Sequence, residues 1–279
     1  MPRDYYTLQP DKIYRLGQHY TPGRAGQKIQ FITRHHLMYI GEGEDVVNKI
    51  WNTRPASAHH VIGPTGRWVQ TVYDRDTAWA NASRWANQRT IAIEHSNITG
   101  RVHGNDFHPD SWQISDETLI TGARVAAAYC LEESLGIPVY GNNIRDHNEF
   151  TSTGCPVHLQ GPRPGNAWGG KAGKYHHQWM EEAEWFYVQL EKKLVKPDGT
   201  PIATFKEAPM ANMFGPEQVG ALDEAKRYGK DVKAQLTGSG EFGQYPGWEQ
   251  LGGRTVVDAL GAIGEKLGID GFKDTKGGK

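Results

Sequence analysis

The chain has 279 residues and a formal net charge of -1, and 23% of its residues are charged. A length of this order suggests one large domain, or a medium domain with a small appendage. Lys and Arg form no long run, so the composition argues against a nucleic-acid-binding protein.

Cysteine content and hydropathy exclude two further classes. Two cysteines, Cys130 and Cys155, are too few for the disulfide framework of a small secreted domain. The N-terminal segment lacks the apolar core of a signal peptide, and the chain has no apolar run long enough to span a bilayer. We therefore expect a product that stays in the cytoplasm where it is made and does not insert into membranes.

A strand, a hairpin and a second strand are predicted in the first hundred residues. Residues 28–40 are rich in β-branched and aromatic side chains and deliver a His-His dipeptide near their C-terminal end. Residues 58–73 contain two alternating runs around a Gly-Pro-Thr-Gly turn, which predicts a hairpin. Residues 90–95 form a short apolar strand that carries one carboxylate, Glu94.

Helices dominate the rest of the chain. Residues 115–136 have apolar side chains at helical spacing, with Ser115 as the N-cap. Residues 176–195, 216–236 and 254–267 also follow the helical period. Because strands and helices interleave in the first two thirds, we expect an α/β fold with a mixed central β-sheet flanked by helices, plus a small helical C-terminal unit.

Proline and glycine residues suggest where one domain ends and the next begins. The motif Lys-Pro-Asp-Gly begins an irregular stretch over residues 196–215, which is typical of a linker. We therefore expect an N-terminal extension at 1–27, a main domain at 28–195 and a C-terminal unit at 216–279.

The loop at 145–156 contains the residues best suited to bind a metal. His147 and Cys155 bracket a stretch rich in Ser, Thr and Gly that can fold back so that both side chains reach one ion. Zinc hydrolases use three His, Cys or carboxylate ligands and leave a fourth position for water. His35 or His36 would supply the third from the end of a strand. On spacing alone, the pair is either part of a metal site or two unrelated residues of a polar loop.

The order of short motifs over residues 28–190 resembles a known family. A strand ending in HH is followed by the hairpin AHHVIGPTGRWVQTV, the phrase DTAW, the strand IAIEHSN, a helix and DHNEFTSTGCP. This order is similar to that of the zinc-dependent N-acetylmuramoyl-L-alanine amidases of the type-2 amidase and peptidoglycan-recognition family. The resemblance implies that the chain binds Zn2+ and bacterial peptidoglycan, and cleaves the amide bond between N-acetylmuramic acid and the L-alanine of the stem peptide.

The resemblance also implies roles for individual residues. His35, His147 and Cys155 take the positions of the zinc ligands. Glu94 falls where one branch of the family has its general base, and Thr153 falls where the family places a Lys or Thr that stabilises the oxyanion. We expect the catalytic centre to consist of these five residues.

Four further residues are candidates for substrate binding: His36, His59, Trp79 and Asn81. Another branch of the family uses a Tyr near the position of His59 as its base. Many relatives have a His directly after the Trp of DTAW, where this chain has Ala80, so contacts near Asn81 are expected to differ. Trp79 either lines the groove or fills the core beside the hairpin, and His36 either orients a ligand or packs.

The C-terminal sequence GWEQLGGRTVVDALGAIGEKLGI resembles segments of endolysins from phages of actinobacteria. The two resemblances imply that residues 28–195 are the catalytic domain and that residues 216–279 either bind the bacterial cell wall or only stabilise the amidase. We therefore expect a monomeric phage endolysin that accumulates in the host cytoplasm and acts at the wall when a separate protein opens the membrane. A catalytically silent peptidoglycan-binding protein and a bacterial autolysin or recycling amidase are the alternatives. A structural protein with incidental histidines is a further possibility, and it would contain no stoichiometric zinc.

Overall fold

The computed structural model describes residues 2–202, 236, 248–270 and 272–273. The chain divides into two compact units, Met1–Ile202 and Ala203–Lys279, and each is considered by itself. In the described residues no helix is long and apolar enough to cross a membrane.

A six-stranded mixed sheet forms the centre of the first unit. Its strand order is β1-β5-β4-β7-β3-β8, and a separate two-stranded ribbon pairs β2 with β6. Strands β4, β7, β3 and β8 run parallel, whereas β5 is antiparallel to β4 as expected for the hairpin. The strands are β1 (Lys12–Ile13), β2 (Tyr20–Thr21), β3 (Phe31–His36), β4 (His60–Ile62), β5 (Trp68–Gln70), β6 (Thr77–Ala78), β7 (Thr90–His95) and β8 (Ile144–Asp146).

The central strands bury both faces, since successive side chains of a strand point to opposite sides of the sheet. Ile32 of β3 and Ile91 and Ile93 of β7 belong to the main core, which also contains helical residues. Ala92 of β7 belongs to a second core on the other face. This explains why residues 90–95 show an apolar run rather than an alternating pattern.

Two long helices contribute to the main core. They are α3 (Asp116–Glu132) and α4 (His176–Glu191), and Arg124 of α3 forms an ion pair with Glu182 of α4 at 2.6 Å. Gly122 allows α3 to approach the sheet closely, because a Cβ there would lie 2.1 Å from Nε2 of His95. Both helices end earlier than expected, since Ser134 and Lys193 adopt left-handed φ angles of 54° and 55°.

Short helices complete the first unit. The helix α1 (Gly43–Val46) runs directly into one π-helical turn, Val47–Trp51. Val46, Val47 and Trp51 belong to the second core. The helix α2 (Arg84–Asn87) begins at Ser83, whose hydroxyl accepts the Ala86 amide. Single 3-10 turns follow β8 at His147–Glu149 and follow Cys155 at Val157–Leu159.

The N-terminal segment, expected to be an extension, contributes to the sheet and to the main core. The strand β1 pairs in parallel with β5, and Tyr5 stacks on Trp68 with ring centroids 5.7 Å apart. Arg3 donates to Thr121 of α3 at 3.1 Å. Residues 1–27 therefore lie in the same compact unit as the strands of the predicted catalytic domain.

The described part of the second unit contains a 3-10 turn at Glu249–Leu251 and the helix α5 (Val256–Lys266), which lies within the expected range 254–267. Thr255 caps it, because its hydroxyl accepts the Asp258 amide at 3.1 Å. The expected helix at 216–236 lies outside the described residues apart from Leu236, as does the linker beyond residue 202. The expected α/β fold with a mixed central sheet flanked by helices is confirmed, and a C-terminal helix is present.

Candidate metal and catalytic site

The site lies at the carboxyl ends of three parallel strands. Because β7, β3 and β8 run in the same direction, their C-terminal residues meet at one edge of the sheet. His35 pairs with Glu94 across β3 and β7, and His147 follows the last residue of β8. A cavity of about 180 Å³ opens at this edge.

Three of the expected ligands converge here. The potential ligand atoms of His35, His147 and Cys155 all lie within 4.8 Å of one another. The two imidazole rings have centroids 4.5 Å apart, and Sγ of Cys155 lies 3.8 Å from Nδ1 of His35. The cluster contains His35 and the two loop residues, and His36 is not part of it.

The hydrogen bonding of these histidines fits a metal site. Nε2 of His35 and Nε2 of His147 are buried and have no hydrogen-bond partner among the described residues. Buried polar atoms are almost always paired, so such atoms need an explanation. Burial lowers the pKa of His147 to about 4 and holds the pKa of His35 well below its ordinary value, with the His147 ring contributing to the latter. Both rings are therefore neutral, which is the form that binds metal.

Cys155 completes a donor set that suits zinc. Its Sγ accepts the backbone N–H of His36 at 3.2 Å, which holds the thiol against the end of β3. Burial raises the pKa of this thiol well above its ordinary value, and the Glu94 charge adds to the effect. Two neutral imidazoles and one sulfur, with space beside them for a further ligand, match the open coordination of a catalytic zinc site.

Glu94 lies at the same edge as a candidate base. Burial raises its pKa to about 8, while the charge of Arg54 opposes that shift. Its Oε2 is buried and has no hydrogen-bond partner in the described part of the chain. A carboxyl group that titrates near neutral pH is suited to accept and return a proton.

Thr153 lies at the mouth of the cavity, and its Oγ1 accepts the backbone N–H of Cys155 at 3.2 Å. The hydroxyl hydrogen is thus left to donate to a ligand. Arg54 also lines the cavity, from the segment after the π-helical turn, and sequence reasoning missed it because no periodic pattern marks that segment. His95 was missed as well: its Nδ1 lies 2.8 Å from the carbonyl oxygen of His35 and supports the ligand strand.

The four substrate-binding candidates divide into two groups. Trp79 is 39% exposed and lines the cavity, as does His36, although Nε2 of His36 is paired with Asn97. His59 and Asn81 have no exposed surface and do not line the cavity, so their positions do not support direct substrate contact. Their burial depends on neighbours that are distant in the chain, and the local sequence does not reveal it.

The fold and the site together define a class: an α/β enzyme whose polar centre lies outside the carboxyl ends of parallel strands. A family model described as N-acetylmuramoyl-L-alanine amidase matches residues 19–158, about half of the chain. The chain therefore belongs to the N-acetylmuramoyl-L-alanine amidase family, and the expected family and enzyme class are confirmed. A second model, described as the Rv3766 C-terminal domain, matches residues 221–272. No curated protein matches the chain.

Several solved structures are similar to the chain at low identity. The catalytic domain of XlyA is 14% identical, with a TM-score of 0.42 over 61% of this chain and 98% of that chain. PlyL is 16% identical, with a TM-score of 0.41 over 64% and 95% of the two chains. The Staphylococcus aureus hydrolase AmiA in complex with its ligand is 15% identical, with a TM-score of 0.42 over 68% and 90%. The family assignment rests on the family model and not on these likenesses.

Proposed function

We propose that this amidase is a zinc-dependent peptidoglycan hydrolase that cleaves the bond between N-acetylmuramic acid and the L-alanine of the stem peptide. The observation that carries the proposal is the convergence of the potential ligand atoms of His35, His147 and Cys155 beside Glu94. His35, His147 and Cys155 would hold the zinc ion.

The chemistry divides between the metal and two side chains. Zinc, when bound, acts as a Lewis acid and makes water acidic enough to attack at neutral pH. Glu94 accepts the proton of the attacking water at its buried carboxylate and returns it to the leaving amine. Burial raises the pKa of Glu94 to about 8, which favours the protonated form, and the Arg54 charge favours the ionised form.

Thr153 and Trp79 act on the rest of the substrate. The Thr153 hydroxyl donates a hydrogen bond to the carbonyl oxygen as negative charge develops there. Trp79 presents an exposed aromatic surface beside the cavity, and its Nε1–H donates to Thr21 at 2.9 Å, which fixes the ring. A fixed aromatic ring of this kind can stack on a sugar or line a peptide groove.

The reaction is tested on purified cell wall. Mass spectrometry of the digest should show free stem peptides with an L-alanine N-terminus, and the purified protein should contain about one zinc per chain. Products in which every muramoyl-alanine bond remains intact would exclude the reaction. The silent-binder alternative predicts wall binding without any product, and lysis that survives a chelator would exclude the zinc mechanism.

We further propose that the chain acts as a phage endolysin and that residues 216–279 bind the wall. The resemblance of the C-terminal sequence to endolysin segments supports this role. Wall pelleting compares the Cys155→Ser chain with the same variant ended at residue 202, where the first compact unit ends. Equal binding by both would assign the C-terminal unit another role. Lysis of intact cells that express the protein without a membrane-permeabilising partner would contradict the endolysin proposal.

A further inference from the structure

A fully buried ion pair lies directly behind the candidate ligands. Arg34 precedes His35 on β3, and Asp146 precedes His147 at the end of β8. The two are register partners across these strands, and neither side chain has exposed surface. Because successive residues of a strand point to opposite faces, the side chain of Arg34 points to the face opposite that of His35.

The Asp146 carboxylate connects the three segments that carry the ligands. Its Oδ1 accepts hydrogen bonds from Nε and Nη2 of Arg34 at 2.9 and 2.8 Å, and these bonds connect β8 to β3, the strand of His35. Its Oδ2 accepts the backbone N–H of Gly161 at 2.7 Å, in the segment that follows Cys155. The backbone of Asp146 itself leads directly into His147.

The guanidinium has further neighbours, although its Nη1 has no hydrogen-bond partner in the described residues. Nη2 of Arg34 lies 3.1 Å from Nδ1 of His176, at the start of α4. The planes of Trp179 and Tyr140 lie near it, with ring centroids 4.9 and 5.3 Å from Cζ. The pair therefore has little freedom to rearrange, and a lysine would lose both the fork of donors and the stacking.

Stability alone does not account for such a pair. Desolvation of two charges can exceed their attraction, and apolar residues of similar volume often serve as well or better. A buried pair is better attested as a device that fixes a register. Here the register is that of β3 against β8, and it sets the distance between the backbones of His35 and His147.

We propose that Asp146, with Arg34, is a positioning residue that sets the spacing of His35, His147 and Cys155 for metal binding. The proposal rests on the proposed zinc function for its consequence, but the contacts of Asp146 with Arg34 and Gly161 are made by the chain's own residues. Asp146 is not part of the ligand cluster and does not line the cavity. It acts through the backbone of the three segments it connects.

The test compares Asp146→Asn with a matched control. Asparagine has the same shape, but only one of its two terminal atoms accepts hydrogen bonds, so either Arg34 or Gly161 loses its partner. Glu182→Gln removes an ion pair of comparable length between α3 and α4, away from the ligands. Zinc affinity is measured by competition with a chromophoric chelator on protein confirmed as folded. Asp146→Asn should weaken zinc binding about 10–100-fold, as loss of residues that orient ligands typically does, and Glu182→Gln should not.

Two further measurements separate positioning from simple loss of stability. Hydrogen exchange of the His36 amide, which donates to Cys155, reports the ligand spacing without metal. It should accelerate in Asp146→Asn relative to Glu182→Gln. The double variant Arg34→Met with Asp146→Leu removes both charges and leaves neither of them unpaired. It tests the same ligand spacing if Asp146→Asn does not fold. We expect it to bind zinc more weakly than wild type.

Wild-type zinc affinity in folded Asp146→Asn or in the double variant would overturn the proposal. So would unchanged exchange at the His36 amide. If the wild-type chain bound no zinc, the proposed zinc function would fail, and the exchange comparison would still decide whether Asp146 sets the spacing.

Discussion

Two His-His dipeptides lie in the same sheet and have opposite environments. His35 and His36 end β3, and Nε2 of His35 and Nδ1 of His36 are buried without a hydrogen-bond partner in the described residues. His59 and His60, at the start of β4, have partners on both ring nitrogens. All four histidines are buried, so the two pairs differ in the contacts of their ring nitrogens and not in burial.

The second pair belongs to a closed network. Nε1–H of Trp68 donates to Nδ1 of His60 at 2.9 Å, so Nε2 of His60 carries the proton. That nitrogen lies 2.7 Å from the Tyr129 hydroxyl, which donates to Asp74 at 2.8 Å. The network satisfies its members and forms part of the interior.

Strand register explains the contrast. His60 pairs with Ile93, one position before Glu94 on β7, whereas His35 pairs with Glu94 itself. His60 thus lies at the start of β4, and Ile62 occupies the carboxyl end of that strand. Since each residue advances about 3.3 Å along a strand, the second pair lies several ångströms inside the sheet edge. The unpaired ring nitrogens of His35 and His36 belong to residues that end β3 and line the cavity.

The largest expected effect is that of Cys155→Ser, at the ligand site beside His35. A serine hydroxyl does not replace a thiolate as a zinc ligand, so zinc and amidase activity should be lost together. The measurements are metal content and release of stem peptides. Cys130→Ala, at the other cysteine, is the matched control, because that buried thiol belongs to α3 and packs in the main core, so its loss should affect stability alone. Retention of zinc in Cys155→Ser would remove Cys155 from the ligand set.

A smaller effect is expected for Glu94→Gln. The amide keeps the shape but cannot accept a proton, so kcat should fall about 10²–10⁴-fold while zinc content stays unchanged. Glu133→Gln is the control, because burial also raises the pKa of Glu133 but it lies beyond the end of α3, outside the cavity. Equal rates for the Glu94 variant and wild type would show that another group moves the proton.

Thr153→Ala should keep the metal and reduce kcat by about 10²–10³-fold, the usual cost of one oxyanion donor. Its neighbour Ser152 is exposed and does not line the cavity, so Ser152→Ala should leave the rate unchanged. The comparison is made by steady-state kinetics on a soluble muramyl peptide. A change confined to KM would instead indicate that Thr153 acts in substrate binding.

The smallest effect on activity is expected for a substitution in the hydrogen-bond network around His60. Burial raises the pKa of Asp74, but hydrogen bonds from His60 and Tyr129 outweigh it and lower the pKa below 3.8. The ionised carboxylate therefore stabilises the fold above pH 3.8, and this contribution is lost as pH falls through the lower folded value. Asp74→Asn should cost about 1–3 kcal/mol at pH 7 by urea unfolding. The difference in unfolding free energy between the variant and wild type should shrink below pH 3.8. The zinc content of the variant at pH 7 should be unchanged. Loss of zinc at pH 7 would show that the His59–His60 network is coupled to the ligand site.

Much of the fold could be predicted from local pattern. The strand at 90–95 and the capped helix start at Ser115 match the structure, because a few neighbouring residues determine them. Helix ends were less predictable: α3 stops before Gly136, since Ser134 already adopts a left-handed conformation. Such a choice depends on how the following loop packs.

The candidate site was predictable only in part. The order of motifs pointed to His35, His147 and Cys155, and the structure brings those three together. Arg34 and Asp146 also left a signal, since each is a charged residue directly before a predicted ligand, but the sequence does not show that they pair. The burial of His59 and Asn81 left no local signal.

By itself, the sequence determined the elements of secondary structure and a short set of ligand candidates, because periodicity and motif order are properties of neighbouring residues. Only the tertiary structure decided which histidine nitrogens remain unpaired, and which charged residues hold the ligand strands in register. Those outcomes depend on contacts between residues far apart in the chain, such as Arg34 and Asp146, which are separated by 112 positions and meet only when β3 and β8 pair.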